Sequence, residues 1–119
     1  MKVLVVEDNR DMSDSLRDIL DMTGCTVAIA RDGAETVAQF APGRFDLVLM
    51  DLKIPGLSGA DLIEHLFRLD PRVRIVVLTG NSVKEEIDAL SSLPILQVIR
   101  KPYDPAILLS LVEQLQAKS

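Results

Sequence analysis

Apolar residues fall along this chain in two kinds of run. Val3-Leu4-Val5-Val6 and Leu47-Val48-Leu49-Met50 are continuous and strand-length, and each stops abruptly at acid, Glu7-Asp8 after the first and Asp51 after the second. A run with no polar alternation predicts a strand buried on both faces. Ile75 to Leu78, ending at Thr79, and Leu96 to Ile99, ending at Arg100-Lys101, extend the pattern, and Thr26 to Ala30 supplies a further strand. Between the strands apolar residues recur at helical spacing: Met12, Leu16, Ile19 and Leu20, then Leu62, Ile63, Leu66 and Phe67, then Val83, Ile87 and Leu90. Asp32-Gly33 opens a short helix carrying Ala34, Val37 and Ala38. Asp104-Pro105 is a capping residue and first-turn proline before Ile107, Leu108, Leu111 and Leu115. Strand and helix alternate throughout, which predicts a parallel α/β sheet with right-handed crossovers and helices on both faces. Pro94 interrupts any helix before the fifth strand, so the helix carrying Val83 is expected to be short and mobile.

Composition narrows this to one ordinary globular domain. The 119 residues, 48% hydrophobic and 26% charged, suit a single domain spanning 1–119, with no repeats, linkers or low-complexity tracts. The apolar runs are too short to cross a membrane, and Met1-Lys2 leads into a strand with no export signal, which predicts a cytoplasmic protein. One cysteine, Cys25, and one histidine, His65, argue against disulfides, zinc clusters and Cys/His nucleophile pairs. Cys25 is expected to be a small apolar filler beside the second strand, and His65 a solvated residue of the third helix. With net charge −5 and its thirteen Lys and Arg residues scattered, the chain is not expected to bind nucleic acid directly.

In an open α/β sheet the ligand site lies beyond the carboxyl ends of the strands. Those ends carry Glu7 and Asp8, Asp51, Thr79 and Lys101: three carboxylates, a hydroxyl and an ammonium. Singly, each is an ordinary polar residue opening a solvated loop. Together they describe a site. Carboxylates on neighbouring strands repel unless a pKa rises or a cation intervenes, and the donors on offer are hard oxygens, which suit Mg2+ better than zinc.

The segments VLVVEDN, LVLMDLKIPGLSG, VVLTG and VIRKP closely resemble the motif blocks of response-regulator receiver domains, the signalling modules of two-component systems and phosphorelays. The resemblance covers the whole chain. It implies a doubly wound five-stranded parallel sheet in the flavodoxin-like order 2-1-3-4-5, an order that periodicity does not supply. It also implies a phosphorylation-dependent switch with Asp51 as phosphoacceptor, served by a sensor histidine kinase or a histidine phosphotransfer protein and read by an output domain or partner protein. Glu7, Asp8, Asp51 and the backbone carbonyl of Lys53 would hold Mg2+. Lys101 would pair with the phosphoryl group, and Thr79 would move toward it once about two negative charges arrive. The chain would catalyse only its own phosphorylation and dephosphorylation. The Lys101-Pro102 bond is expected to be cis, Gly80 to permit close backbone approach, and Gly56 and Gly59 after Pro55 to form a tight turn.

Three departures bear on the output. Val98 stands where many receivers carry a rotating aromatic, and Tyr103 is not an obvious substitute. Lys53 stands where a hydrolytic water would approach and is expected to hinder it. The final helix is more apolar than one buried face needs, which suggests either a wide core-facing stripe with a few singly exposed residues or a partner surface, such as a homodimer through that helix and the fifth strand. Two other functions compete: a phosphorylation-independent receiver-like binding module, and an aspartyl-phosphate hydrolase, which would ordinarily need an acid where Lys53 stands.

Overall fold

The computed structural model describes residues 1–53, 59–80, 88 and 90–117. Five parallel strands, β1 (Lys2–Val6), β2 (Thr26–Ala30), β3 (Leu47–Asp51), β4 (Arg74–Thr79) and β5 (Gln97–Arg100), form one sheet in the order β2-β1-β3-β4-β5. Four helices lie among the described residues: α1 (Arg10–Asp21), α2 (Gly33–Gln39), α3 (Gly59–Leu69) and α4 (Pro105–Ala117). The helical pattern on Val83 and Ile87 and the turn through Pro55 and Gly56 lie outside the described residues.

The continuous apolar runs have a simple geometric cause. Successive strand residues point to opposite faces, and both faces are covered. Val3, Val5, Leu47 and Leu49 pack against Leu16 and Leu20 of α1 and Leu108 and Val112 of α4. Leu4, Val6, Val48 and Met50 pack against Leu62, Ile63 and Leu66 of α3 on the other side. Each such side chain, fully withdrawn from water, stabilises the fold by about 1.5–3 kcal/mol. Cys25 is buried in the α1/α4 layer as expected, and His65 sits half-buried on α3.

Two expectations are corrected. The fifth apolar run is not covered on both faces: β5 is an edge strand, Leu96 and Val98 are 45% and 38% exposed, and Ile99 is its one buried residue. In α2 the buried face is Gly33 and Thr36, while Ala34, Val37 and Ala38 face outward. Thr36 tolerates complete burial because its hydroxyl donates to the Asp32 carbonyl at 2.7 Å, which leaves no polar group unsatisfied. The helix start is as expected, with Asp32 Oδ1 accepting from the Glu35 N–H at 2.7 Å. Most of the apolar excess of α4 is core, Leu108, Leu111, Val112 and Leu115 being buried and Ile107 48% exposed.

Candidate functional site

Strand register assembles the site. β1 and β3 are paired with Val6 beside Met50, β3 and β4 with Asp51 beside Leu78, and β4 and β5 with Leu78 beside Ile99. Alternation from Val5, Leu49 and Ile99 carries Glu7, Asp51 and Lys101 to the α1/α4 side of the sheet. There the Lys101 ammonium donates to Asp51 Oδ2 at 2.9 Å and to Glu7 Oε2 at 3.3 Å. Glu7 and Asp51 are buried at 2% and 7% exposure. The other Asp51 oxygen, Oδ1, accepts the Lys53 N–H at 3.0 Å.

Asp8 is exposed at the start of the turn into α1, yet Glu7, Asp8 and Asp51 each offer a carboxylate oxygen within 4.8 Å of the others. Asn9 caps α1, its Oδ1 accepting the Met12 N–H at 3.0 Å while its own N–H donates to Glu7 Oε1 at 3.2 Å. Thr79 is buried at the end of β4, and its carbonyl accepts the Lys101 N–H at 2.8 Å, which fixes the segment after β5 against β4. The Lys101-Pro102 bond is cis.

Three acids around one ammonium leave an excess of negative charge. Burial, reinforced by the neighbouring Asp51 charge, pushes the Glu7 carboxyl above the usual carboxylate range, and Lys101 and the Asn9 N–H offset this only in part. Burial works against the Lys101 ammonium, but its hydrogen bond to Asp51 and the charges of Asp51 and Glu7 outweigh that, so its pKa stands above the ordinary lysine value. Burial also pushes the Tyr103 phenol up. A hard dication suits this donor set: the ligand atoms are all oxygens, they lie close together, and the pKa of Glu7 registers their mutual repulsion.

The polar residues singled out in the sequence thus lie at the carboxyl edge of the sheet, with Lys53 exposed beside them. Among the described residues, a Cβ added at Gly80 would meet Lys101 Cδ at an ordinary 3.9 Å. Two residues were overlooked. Arg31, directly after β2, donates from Nη1 to Ser13 Oγ at 3.0 Å and to the Glu7 carbonyl at 3.4 Å. The signal was available, because the question of what ends each strand singles out Arg31 once it is put to β2.

Fold and site together define a parallel α/β domain with an acidic aspartate and lysine pocket at the carboxyl ends of its strands. The chain belongs to the response regulator receiver domain family, whose sequence model matches residues 3–113. It is 37% identical over 101 residues to a response regulator receiver protein of Anaeromyxobacter sp. (strain Fw109-5), covering 85% of this chain and 42% of that protein. It is 27% identical over 103 residues to sporulation initiation phosphotransferase F of Bacillus subtilis (strain 168), covering 87% of this chain and 83% of that protein. The crystal structure of a CheY-like response regulator receiver domain protein from Methanospirillum hungatei JF-1 superposes with a TM-score of 0.89 at 30% identity, covering 98% of this chain and 94% of that one. No helix among the described residues is long and apolar enough to cross a membrane.

Proposed function

We propose that residues 1–119 form one receiver domain in which Asp51 accepts a phosphoryl group from a phosphohistidine on a sensor histidine kinase or histidine phosphotransfer protein. The observation that carries this is the ammonium of Lys101 set 2.9 Å from Asp51 Oδ2, with Glu7 and Asp8 within reach of the same carboxylate. A carboxylate oxygen of Asp51 attacks phosphorus, the P–N bond of the donor breaks, and its electron pair returns to the imidazole nitrogen. No general base is needed, because a carboxylate oxygen is itself the nucleophile and phosphoryl transfer depends on positioning and charge neutralisation. Glu7, Asp8, Asp51 and the Lys53 carbonyl would hold Mg2+, which when bound neutralises charge on the transferred group. Lys101 then pairs with the phosphoryl oxygens, and the Thr79 hydroxyl turns toward them. The exposed Lys53 side chain obstructs the approach of hydrolytic water.

Partner affinity changes by population shift. With Val98 exposed on β5 and no ring there to rotate, the response runs through Thr79 and the segment that its carbonyl ties to Lys101. The exposed Ile107 and Val98 near the open sheet edge suit a second copy of the chain. Acetyl phosphate tests the core of this proposal. Stable Mg2+-dependent labelling that Asp51→Asn abolishes is expected; absence of labelling would favour a binding module that works without phosphorylation, and rapid turnover of small phosphomonoesters a hydrolase.

A further inference from the structure

We propose that Arg31 is a positioning residue that clamps the turn between β1 and α1 and so sets the cation affinity of the Glu7, Asp8 and Asp51 cluster. The inference rests on the function proposed above through that cation alone. Parallel pairing of β1 with β2 puts Ala30 beside Val6, and the Glu7 N–H donates to the Ala30 carbonyl at 3.0 Å. Arg31 therefore leaves β2 next to the point where β1 becomes the acidic turn. Its guanidinium spans that turn, with Nη1 3.4 Å from the carbonyl of Glu7 on one side and 3.0 Å from Ser13 Oγ in α1 on the other.

Ser13 is built to receive this contact. It is fully buried, and its hydroxyl donates to the Arg10 carbonyl at 2.9 Å, so an oxygen lone pair is left for Arg31. The backbone of Arg31 is held in turn, its N–H donating to Glu35 Oε2 at 2.8 Å. Among the described residues the guanidinium forms no ion pair. A cation placed beside an acidic cluster but bonded to neutral oxygens acts on the backbone's shape more than on the carboxylates' charge.

The clamped segment matters because of Asp8. Glu7 is fixed by burial, Lys101 and the Asn9 N–H, whereas Asp8 is exposed, and the main chain of the turn is what brings its carboxylate within 4.8 Å of the other two. Mg2+ tolerates little deviation from octahedral geometry. Groups that orient metal ligands without touching the metal typically change affinity by about 10–100-fold when lost.

The test is Mg2+ titration by calorimetry, with the thermal midpoint recorded in parallel, on the full chain and on Arg31→Ala, Ser13→Ala, Arg31→Lys and the Arg31→Ala/Ser13→Ala double variant. A clamp predicts that each alanine variant weakens Mg2+ binding about tenfold and that the double variant is no weaker than Arg31→Ala, since both remove one contact. Arg31→Lys keeps the charge, but its shorter stem and non-planar head do not place one nitrogen against both oxygens, and it is expected to bind nearly as weakly as Arg31→Ala. Tighter Mg2+ binding in Arg31→Ala would mean that the guanidinium acts only by charge, and lowered midpoints with unchanged affinity would mean that it is purely structural; either result overturns the inference alone. Wild type that fails to bind Mg2+ overturns it together with the cation part of the proposed function.

Discussion

Lys101 lies against two carboxylates on neighbouring strands, and its loss isolates their repulsion. Lys101→Ala is expected to lower the thermal midpoint in chelator and to widen the rise that Mg2+ produces relative to wild type; equal rises would show that the two cations do not share a role. The raised pKa of Lys101 means that the folded state binds its proton more tightly than the unfolded chain does. Its contribution is therefore present below the ordinary lysine pKa and lost as pH climbs through the raised value. Glu7 is also raised, so its protonated form favours folding, and that contribution is lost as pH rises through the shifted value. At neutral pH its charge costs stability, and with Glu7 as a ligand, as proposed, Mg2+ would compete with its proton once pH is lowered. Mg2+ affinity, measured calorimetrically from neutral pH downward, should begin to fall before the ordinary carboxylate range is reached. A decline confined to that range would remove Glu7 from the ligand set. At this scale the sequence was most legible where a polar residue interrupts an apolar strand, as at Glu7, Asp51 and Thr79. It was least legible in the pairing of Arg31 with Ser13, which depends on strand order and on which turn of α1 faces β2.

Helices and strands differed in legibility for a physical reason. β1, β3 and β4 are covered on both faces, and that burial writes itself into sequence as unbroken apolar runs. The edge strand β5 lies in a run that Gln97 interrupts, Leu96 to Ile99, and Ile99 alone of β5 is buried, because coverage there depends on topology. α2 misled in the opposite sense, its buried threonine satisfying itself locally while small apolar residues face water. Two glycines also separate at this scale. A Cβ at Gly59 would come within 2.8 Å of Leu52 Cδ2 and 3.0 Å of the Leu52 carbonyl, whereas one at Gly80 meets an ordinary contact among the described residues. Gly59→Ala should therefore cost about 1–3 kcal/mol by forcing the start of α3 away from β3, and Gly80→Ala should stay within about 0.5 kcal/mol of wild type. Denaturant unfolding of both variants checks the pair, and a neutral Gly59→Ala would show that Leu52 gives way easily.

The order 2-1-3-4-5 belongs to the whole molecule and was carried by family resemblance, because periodicity identifies strands without saying which lie side by side. Once that order holds, Glu7 and Asp51 end neighbouring strands at the same height, and the long side chain of Lys101 reaches them from beyond β4. The chain spans 42% of the length of the Anaeromyxobacter relative, and the switch proposed above requires a partner to read it. Sedimentation with and without acetyl phosphate tests whether a second copy is one such partner: a phosphorylation-dependent dimer weakened by Ile107→Glu is expected, and an unchanged monomer would contradict it. The central claim is tested most directly by intact-mass measurement after incubation with acetyl phosphate and Mg2+. One phosphoryl adduct on wild type, lost in chelator and absent from Asp51→Asn, is the predicted result; an adduct that persists in Asp51→Asn, or none on wild type, would contradict it.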